Sequence, residues 1–203
     1  PGTTYWYFPF TYFSQNSLRA AAHSTVFCMV DGSKNLQCVG TSTRGQLARG
    51  LAVNTEVCSF TTITGNVQRV VVGEEFMCVL KTNKQIYCWG RNDYGQLGDE
   101  TGFDTNTVPT AAVNLGTGCY PSDIQAGLYH VCALCDDGRA KCWGRGDGRL
   151  ARIYGAPGNW GDRSNTMGDK LPFVSLVEST ASPTTPSASW ATRCSRRATR
   201  TGA

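Results

Sequence analysis

The stretch 76–80, "FMCVL", carries apolar side chains at both residue parities: Phe76, Cys78 and Leu80 on one, Met77 and Val79 on the other. Successive side chains of a strand point to opposite faces. Such a run therefore predicts a strand covered on both sides, as when small sheets stack face to face. A second run, "QIYCWG" (85–90), is rich in β-branched and aromatic residues and follows the polar turn "KTNK". Two such runs around a tight turn predict a β-hairpin. The pattern occurs twice more. "VFCMV" and "NLQCV" flank "DGSK" upstream, and "HVCAL" and "AKCW" flank "CDDG" downstream, where Asp137-Gly138 is a good hairpin signal. Hairpins are predicted over about 26–39, 76–89 and 130–143, with no helix beyond a turn or two. The expected fold class is all-β.

The polar and special residues recur with the apolar ones. The pairs Cys28/Cys38, Cys78/Cys88 and Cys132/Cys142 each lie ten residues apart, and the pairs follow one another at 50 and then 54 residues. Gly40, Gly90 and Gly144 follow the second Cys at one offset, and Gly73 and Gly127 precede the first Cys by five residues. "RGQL" at 44–47 aligns with "YGQL" at 94–97. A period of this size points to a propeller or an array.

The hairpin also accounts for the cysteines. Directly opposed residues of a non-hydrogen-bonded antiparallel pair have Cα atoms about 4.5 Å apart, within the roughly 4.4–6.8 Å that a disulfide spans. Bridges Cys28–Cys38, Cys78–Cys88 and Cys132–Cys142 are expected, each contributing roughly 3 kcal/mol in the chain-entropy model. Cys58, Cys119, Cys135 and Cys194 have no repeat partner and are expected to be unpaired. A zinc site needs four convergent ligands; only the third unit offers them, in His130, Cys132, Cys135 and Cys142. The other copies lack the His and the inner Cys, and a redox role for "CALC" (132–135) meets the repeat partner already held by Cys132. Neither metal nor cofactor is expected.

Composition narrows the picture further. The chain has 203 residues, 40% of them hydrophobic, with 23 Gly and 8 Pro, as in a turn-rich globular protein. The net charge of +4 comes from Arg193, Arg196, Arg197 and Arg200 in the last thirteen residues. Without those four, 15 basic residues stand against 15 acidic ones, so the repeats show no nucleic-acid footprint. No apolar run approaches a membrane span. The opening "PGTTYWYFPFTYF" is rich in aromatics but lacks the features of an ordinary signal peptide. The expectation is a fragment or processed product whose addressing segment is missing.

The motif Gly-x-x-x-x-Cys-x-Leu, followed by Cys-Trp-Gly-x-Asn-x-x-Gly-Gln-Leu-Gly, resembles the repeat of the regulator of chromosome condensation family, in its cysteine-bearing subtype. The second unit carries it through Gly73, Cys78, Leu80, Cys88, Trp89, Gly90, Asn92, Gly95, Gln96, Leu97 and Gly98. The third keeps Gly127, His130, Cys132, Leu134, Gly138, Cys142, Trp143 and Gly144 but loses the Gln-Leu-Gly step, and its "NTMGDKLPFVSL" (165–176) is also family-like. The first is the most worn, with Val39 in place of Trp and His23 in place of Gly. The resemblance implies a β-propeller of four-stranded blades, normally seven, of which this chain holds about three. The remaining blades are expected to be missing, leaving unpaired flanks. The implied division is an aromatic-rich segment at 1–17, repeats at about 18–66, 67–115 and 116–176, and a tail at 177–203. The tail, rich in Ser, Thr, Pro and Arg, reads either as a disordered or glycosylated linker or as a shifted reading frame, Cys194 lying near the next unit's Cys position. No Asn-x-Ser/Thr acceptor occurs.

Chemistry finds little support. His23 and His130 sit at structural positions of the repeat, and no Ser-His-Asp or Cys-His set has pattern support. "GRGDGR" (144–149) lacks the Lys-Ser or Lys-Thr of a phosphate loop, and Arg145-Gly146-Asp147 resembles integrin ligands only at a turn position. The expected function is a non-catalytic protein-interaction module. Paired cysteines favour an extracellular or cell-surface setting, as in the family's secreted members and receptor-kinase ectodomains. The alternative is guanine-nucleotide exchange on a small GTPase with chromatin binding, cytoplasmic or nuclear, as the family's namesake implies. The partner is expected to be another protein, met by loops at one propeller end. Arg91, Asp93 and Tyr94 of "RNDYGQ" and Arg145 and Asp147 of "RGDGR" are the candidate contacts, expected to be exposed together.

Overall fold

A computed structural model describes residues 19–23, 25–50, 54–146 and 158–174. The segment 1–17, the tail 177–203, Cys194 and Asp147 lie outside these residues.

Among the described residues, ten strands form three antiparallel sheets. The first has the order β1 (Arg19–His23), β2 (Val26–Val30), β3 (Leu36–Ser42) and β4 (Thr55–Thr64). The second holds β5 (Val67–Val72), β6 (Phe76–Lys81) and β7 (Ile86–Gly90), and the third β8 (Pro121–Ala126), β9 (His130–Cys135) and β10 (Ala140–Gly144). Among the described residues, the 3-10 turn at Gly168–Lys170 is the named helical element. All three predicted hairpins are present, as β2–β3, β6–β7 and β9–β10.

Each sheet is a blade, and β1, β5 and β8 lie side by side at the inner edge. Blade one has the full four strands. Among the described residues of blades two and three, the outer chain meets its neighbour at its ends. Thr105 bridges Gly90 and the Val113 amide donates to the Ile86 carbonyl, while Trp160 bridges Gly144 and the Val174 amide donates to the Ala140 carbonyl. Between those points of blade two lies Pro109, which has no N–H to give to a ladder.

The two-sided strand behaves as its pattern predicts. Phe76, Cys78 and Leu80 join a core shared with blade three that includes Val131, Ala133 and Trp143. Met77 and Val79 join a second core shared with blade one, with Cys28, Val30 and Leu47. Burial of this kind gains about 25 cal/mol per Å² of apolar surface, and here it lies between blades rather than within them.

The three repeat cysteine pairs are directly opposed: Cys28 with Cys38, Cys78 with Cys88, Cys132 with Cys142. All three are bridged, with Cα separations of 4.1, 4.1 and 4.0 Å. The expectation that Cys119 and Cys135 stay unpaired is corrected, because they form a fourth bridge with Cα atoms 5.0 Å apart. The cause is register: Cys135 lies opposite Pro121, which brings it beside the chain entering β8. Cys58 is free and exposed on β4.

Glycine marks two tight points of the repeat. Gly40, Gly90 and Gly144 share a positive φ of 127°, 105° and 106°, and a Cβ there would lie 2.0–2.5 Å from a backbone carbonyl oxygen of the neighbouring strand's lead-in. A Cβ at Gly73 or Gly127 would run into the ring of Phe76 or His130, at 2.0 and 2.2 Å. Blade one tolerates His23 at this position because Val26 stands in place of the ring.

Candidate interaction surface at the loop end of the blades

The turns after β3 and β7 are built alike. The Gln46 Oε1 accepts from the Arg44 amide at 2.8 Å, and the Gln96 Oε1 from the Tyr94 amide at 2.9 Å. Each glutamine thus closes its own turn, and its backbone carbonyl is left to accept from the indole of the following blade. Trp89 Nε1 donates to the Gln46 carbonyl at 2.8 Å, and Trp143 Nε1 to that of Gln96 at 3.0 Å. Asn92 holds the loop from beneath, accepting from the Leu97 amide at 3.0 Å and donating to Asp99 at 2.9 Å.

On this frame sits a chain of charges. Arg44 pairs with Asp93 at 2.7 Å and Asp104 at 2.5 Å, and Arg91 pairs with Asp93 at 2.6 Å and Glu75 at 3.1 Å. Asp93 therefore links an arginine of blade one to an arginine of blade two. Partial burial pushes the Asp93 carboxyl up, but the Arg91 hydrogen bond and the two guanidinium charges outweigh it and hold it below the ordinary value. For Arg91, burial works against the charged form, and Asp93 and Glu75 overcome it to give a net upward shift. The Asp104 hydrogen bond is the largest influence in raising Arg44.

Beside the charges, Tyr94 and Tyr129 meet at 5.2 Å between ring centroids. The Arg145 guanidinium lies 4.7 Å from the Tyr94 centroid and 5.3 Å from that of Tyr129, and Arg91 approaches the same rings at 5.9 and 5.3 Å. Cations over aromatic faces are attracted by the ring quadrupole.

Arg91, Asp93, Tyr94 and Arg145 are thus brought together, with Asp147 outside the described residues. Their expected exposure is corrected in part: Asp93 is exposed, but Arg91, Tyr94 and Arg145 are half-buried. The guanidiniums stack on rings and pair with carboxylates instead of pointing into water. Sequence reasoning missed Arg44, Glu75, Asp104 and Tyr129. Glu75 and Tyr129 share one repeat position, directly before β6 and β9, and that equivalence was the available signal. Among the described residues, no group of three or more His, Cys, Asp or Glu side chains is placed to hold a metal ion. Of the four residues weighed for zinc, Cys135 is bound to Cys119 and Cys132 to Cys142.

Comparison with known proteins agrees with this architecture. Two models described as the regulator of chromosome condensation (RCC1) repeat match, one over residues 67–96 and 122–148 and the other over 84–134. The human regulator of chromosome condensation is 35% identical over 78 residues, covering 38% of this chain and 18% of that protein. A bovine protein named secretion-regulating guanine nucleotide exchange factor is 34% identical over 128 residues, covering 61% of this chain and 26% of its own. This chain thus spans about a fifth to a quarter of these relatives. Among solved structures, yeast RCC1 (Prp20) bound to Kap60 superposes with a TM-score of 0.59 at 16% identity, over 81% of this chain and 38% of that one. With its repeated hairpins, indole ties and matched motifs, the chain carries regulator of chromosome condensation (RCC1) repeats within residues 67–148, in a form whose hairpins carry paired cysteines.

Proposed function

We propose that this chain is a non-catalytic, disulfide-stapled propeller module that binds another protein in an oxidising, extracytoplasmic setting. The observation that carries this reading is the placement of four cysteine pairs at bridging distance, three of them at one repeated position. Disulfides persist in oxidising compartments and are rare where thiols are kept reduced. The loop end carrying Arg91, Asp93, Tyr94 and Arg145 is the surface we assign to the partner. It combines aromatic and arginine side chains on a rigid scaffold, the composition in which binding hot spots are enriched. The test is to alkylate the protein in its own producing cells before lysis and map its cysteines. Recovery of the repeat pairs as disulfides is expected; recovery of all three as free thiols would sink the extracytoplasmic reading.

A second reading is favoured by the bovine relative, whose name records guanine nucleotide exchange. Under it the chain would contribute to exchange on a small GTPase in the cytosol or nucleus. Release of a fluorescent guanine nucleotide from a purified small GTPase separates the two. No acceleration is expected from this chain, and a catalytic acceleration that Arg91→Glu with Arg145→Glu abolishes would replace the first reading.

A further inference from the structure

The outer chain of blade two and β7 enclose a cavity of about 190 Å³. Its origin lies in the backbone. The outer chain bonds to β7 through Thr105 at Gly90 and through Val113 at Ile86, and Pro109 between them has no N–H to give. Ile86 and Gly90 thus turn backbone groups outward, and Cys88, two residues from each, turns its own the same way. Cys88 lines the cavity. Met167 of blade three lines it as well, so its walls are set by packing between two neighbouring blades.

The lining has an apolar end and an acidic one. Leu97 and Met167 are 2% and 4% exposed. Asp99 is exposed and Glu100 half-buried, which places the acids at the open side. Each carboxylate is fixed through one oxygen. Asp99 Oδ1 accepts from Asn92 Nδ2 at 2.9 Å and from the Thr101 amide at 3.0 Å. Glu100 Oε1 accepts from the Thr166 and Met167 amides, both at 2.9 Å. Asp99 Oδ2 and Glu100 Oε2 receive no hydrogen bond from the described residues. The nearby acids Glu75, Asp93 and Asp104 each pair with an arginine. Asp99 and Glu100 pair with no cation among the described residues, and no Lys, Arg or His is among the described residues that line the cavity.

We propose that this cavity binds an alkylguanidinium, its alkyl chain against Leu97 and Met167 and its head between Asp99 and Glu100. A guanidinium carries five N–H donors and no acceptor. The cavity answers with acceptors: a second oxygen on each carboxylate and the outward-turned Cys88 carbonyl. Two negative charges favour a cation at this position. The size agrees, since an apolar cavity of about 150 Å³ takes a benzene-sized guest. A small free ion and the arginine side chain of a partner protein carry this same chemistry. The proposal does not depend on the loop-end surface.

The experiment titrates butylguanidinium chloride into the full isotope-labelled chain and follows the backbone amides by NMR. Saturable shifts are expected at residues 97–100, 111–114 and 167, with a dissociation constant of about 1 mM. Each methylene removed between butylguanidinium and methylguanidinium is expected to weaken binding about fourfold. Asp99→Asn with Glu100→Gln keeps the fixing oxygens, removes both charges and is expected to weaken binding about tenfold or more. Ala112→Phe fills the cavity without touching a charge and is expected to abolish binding. Dispersed spectra show that each variant remains folded. A capped peptide with one arginine between glycines separates the two sources. Shifts at the same amides identify an arginine side chain as an occupant, and shifts with butylguanidinium alone identify a small free ion. Absence of saturable shifts at these amides with butylguanidinium overturns the proposal. Equal binding by butanol, which has no charge, overturns it too, as does equal binding by methylguanidinium or by the double variant.

Discussion

The indole N–H of Trp143 donates to the backbone carbonyl of Gln96 at 3.0 Å, and both residues are fully buried between blades two and three. Replacing Trp143 with Phe keeps an aromatic ring but strands that carbonyl, which costs about 1–3 kcal/mol for the lost partner alone. Urea unfolding is expected to show a lower midpoint with an unchanged slope. Trp89→Phe, which cuts the equivalent bond to Gln46, is expected to cost a similar amount. A neutral result at both positions would mean that the tie adds nothing to the stacking of the blades.

Gly73 is small because of Phe76. A Cβ there would come within 2.0 Å of the ring, and Gly73→Ala is expected to destabilise by about 1–3 kcal/mol through overpacking. Blade one shows the relief, since His23 is accommodated where Val26 replaces the ring. The double variant Gly73→Ala with Phe76→Val is therefore expected to be more stable than the sum of the two single changes predicts. Strict additivity in a double-mutant cycle would remove this account of the glycine.

The fourth disulfide has its own signature. Peptide mapping without reduction is expected to recover Cys119 linked to Cys135 and Cys132 linked to Cys142. Replacing both Cys119 and Cys135 by Ser opens a loop of 16 residues, a loss of roughly 3 kcal/mol in the chain-entropy model. Recovery of Cys132 joined to Cys135 would contradict the arrangement.

Two groups give the stability a pH dependence at opposite ends. Asp93 is held below its ordinary value of 3.8, so the stabilisation it supplies is present above that value and is lost as pH falls through its folded pKa. Asp93→Asn is expected to flatten that acid limb. Lys141 is buried, its Nζ donating to the Leu115 carbonyl at 2.7 Å and the Gly168 carbonyl at 2.9 Å. Burial is the main cause that lowers its pKa below the ordinary 10.5. The unfolded chain then binds the extra proton, so stability rises as pH climbs from the folded pKa toward 10.5. Lys141→Met is expected to lack that rise. Parallel denaturation curves for variant and wild type at high pH would refute the assignment.

What the sequence revealed was whatever the repeat states more than once. Two-faced burial of Phe76–Leu80, the hairpins and the directly opposed cysteines all follow from side-chain alternation and a shared offset. The Cys119–Cys135 bridge was invisible because it occurs in one unit and depends on the register of β8 against β9. Trp89 and Trp143 were legible as motif residues, but their acceptors are backbone carbonyls, which leave no mark on residue identity. The loop cluster was half legible. Arg91, Tyr94 and Arg145 follow each Trp-Gly step, whereas Tyr129, Arg44 and Glu75 reach the cluster only through the stacking of neighbouring blades.

Among the described residues, each bridge joins two points of a single blade, and none crosses from blade to blade. A pull applied to the two ends of the chain would therefore separate blades before any covalent link came under load. Each hairpin bridge would then keep its loop of 10 residues out of the stretched chain, about 33–36 Å of length that is never released. In blade three the spans 119–135 and 132–142 overlap, so that hairpin and its lead-in would be held as one knot. The molecule would extend in short, protected steps, and only a reductant would yield the rest of its contour.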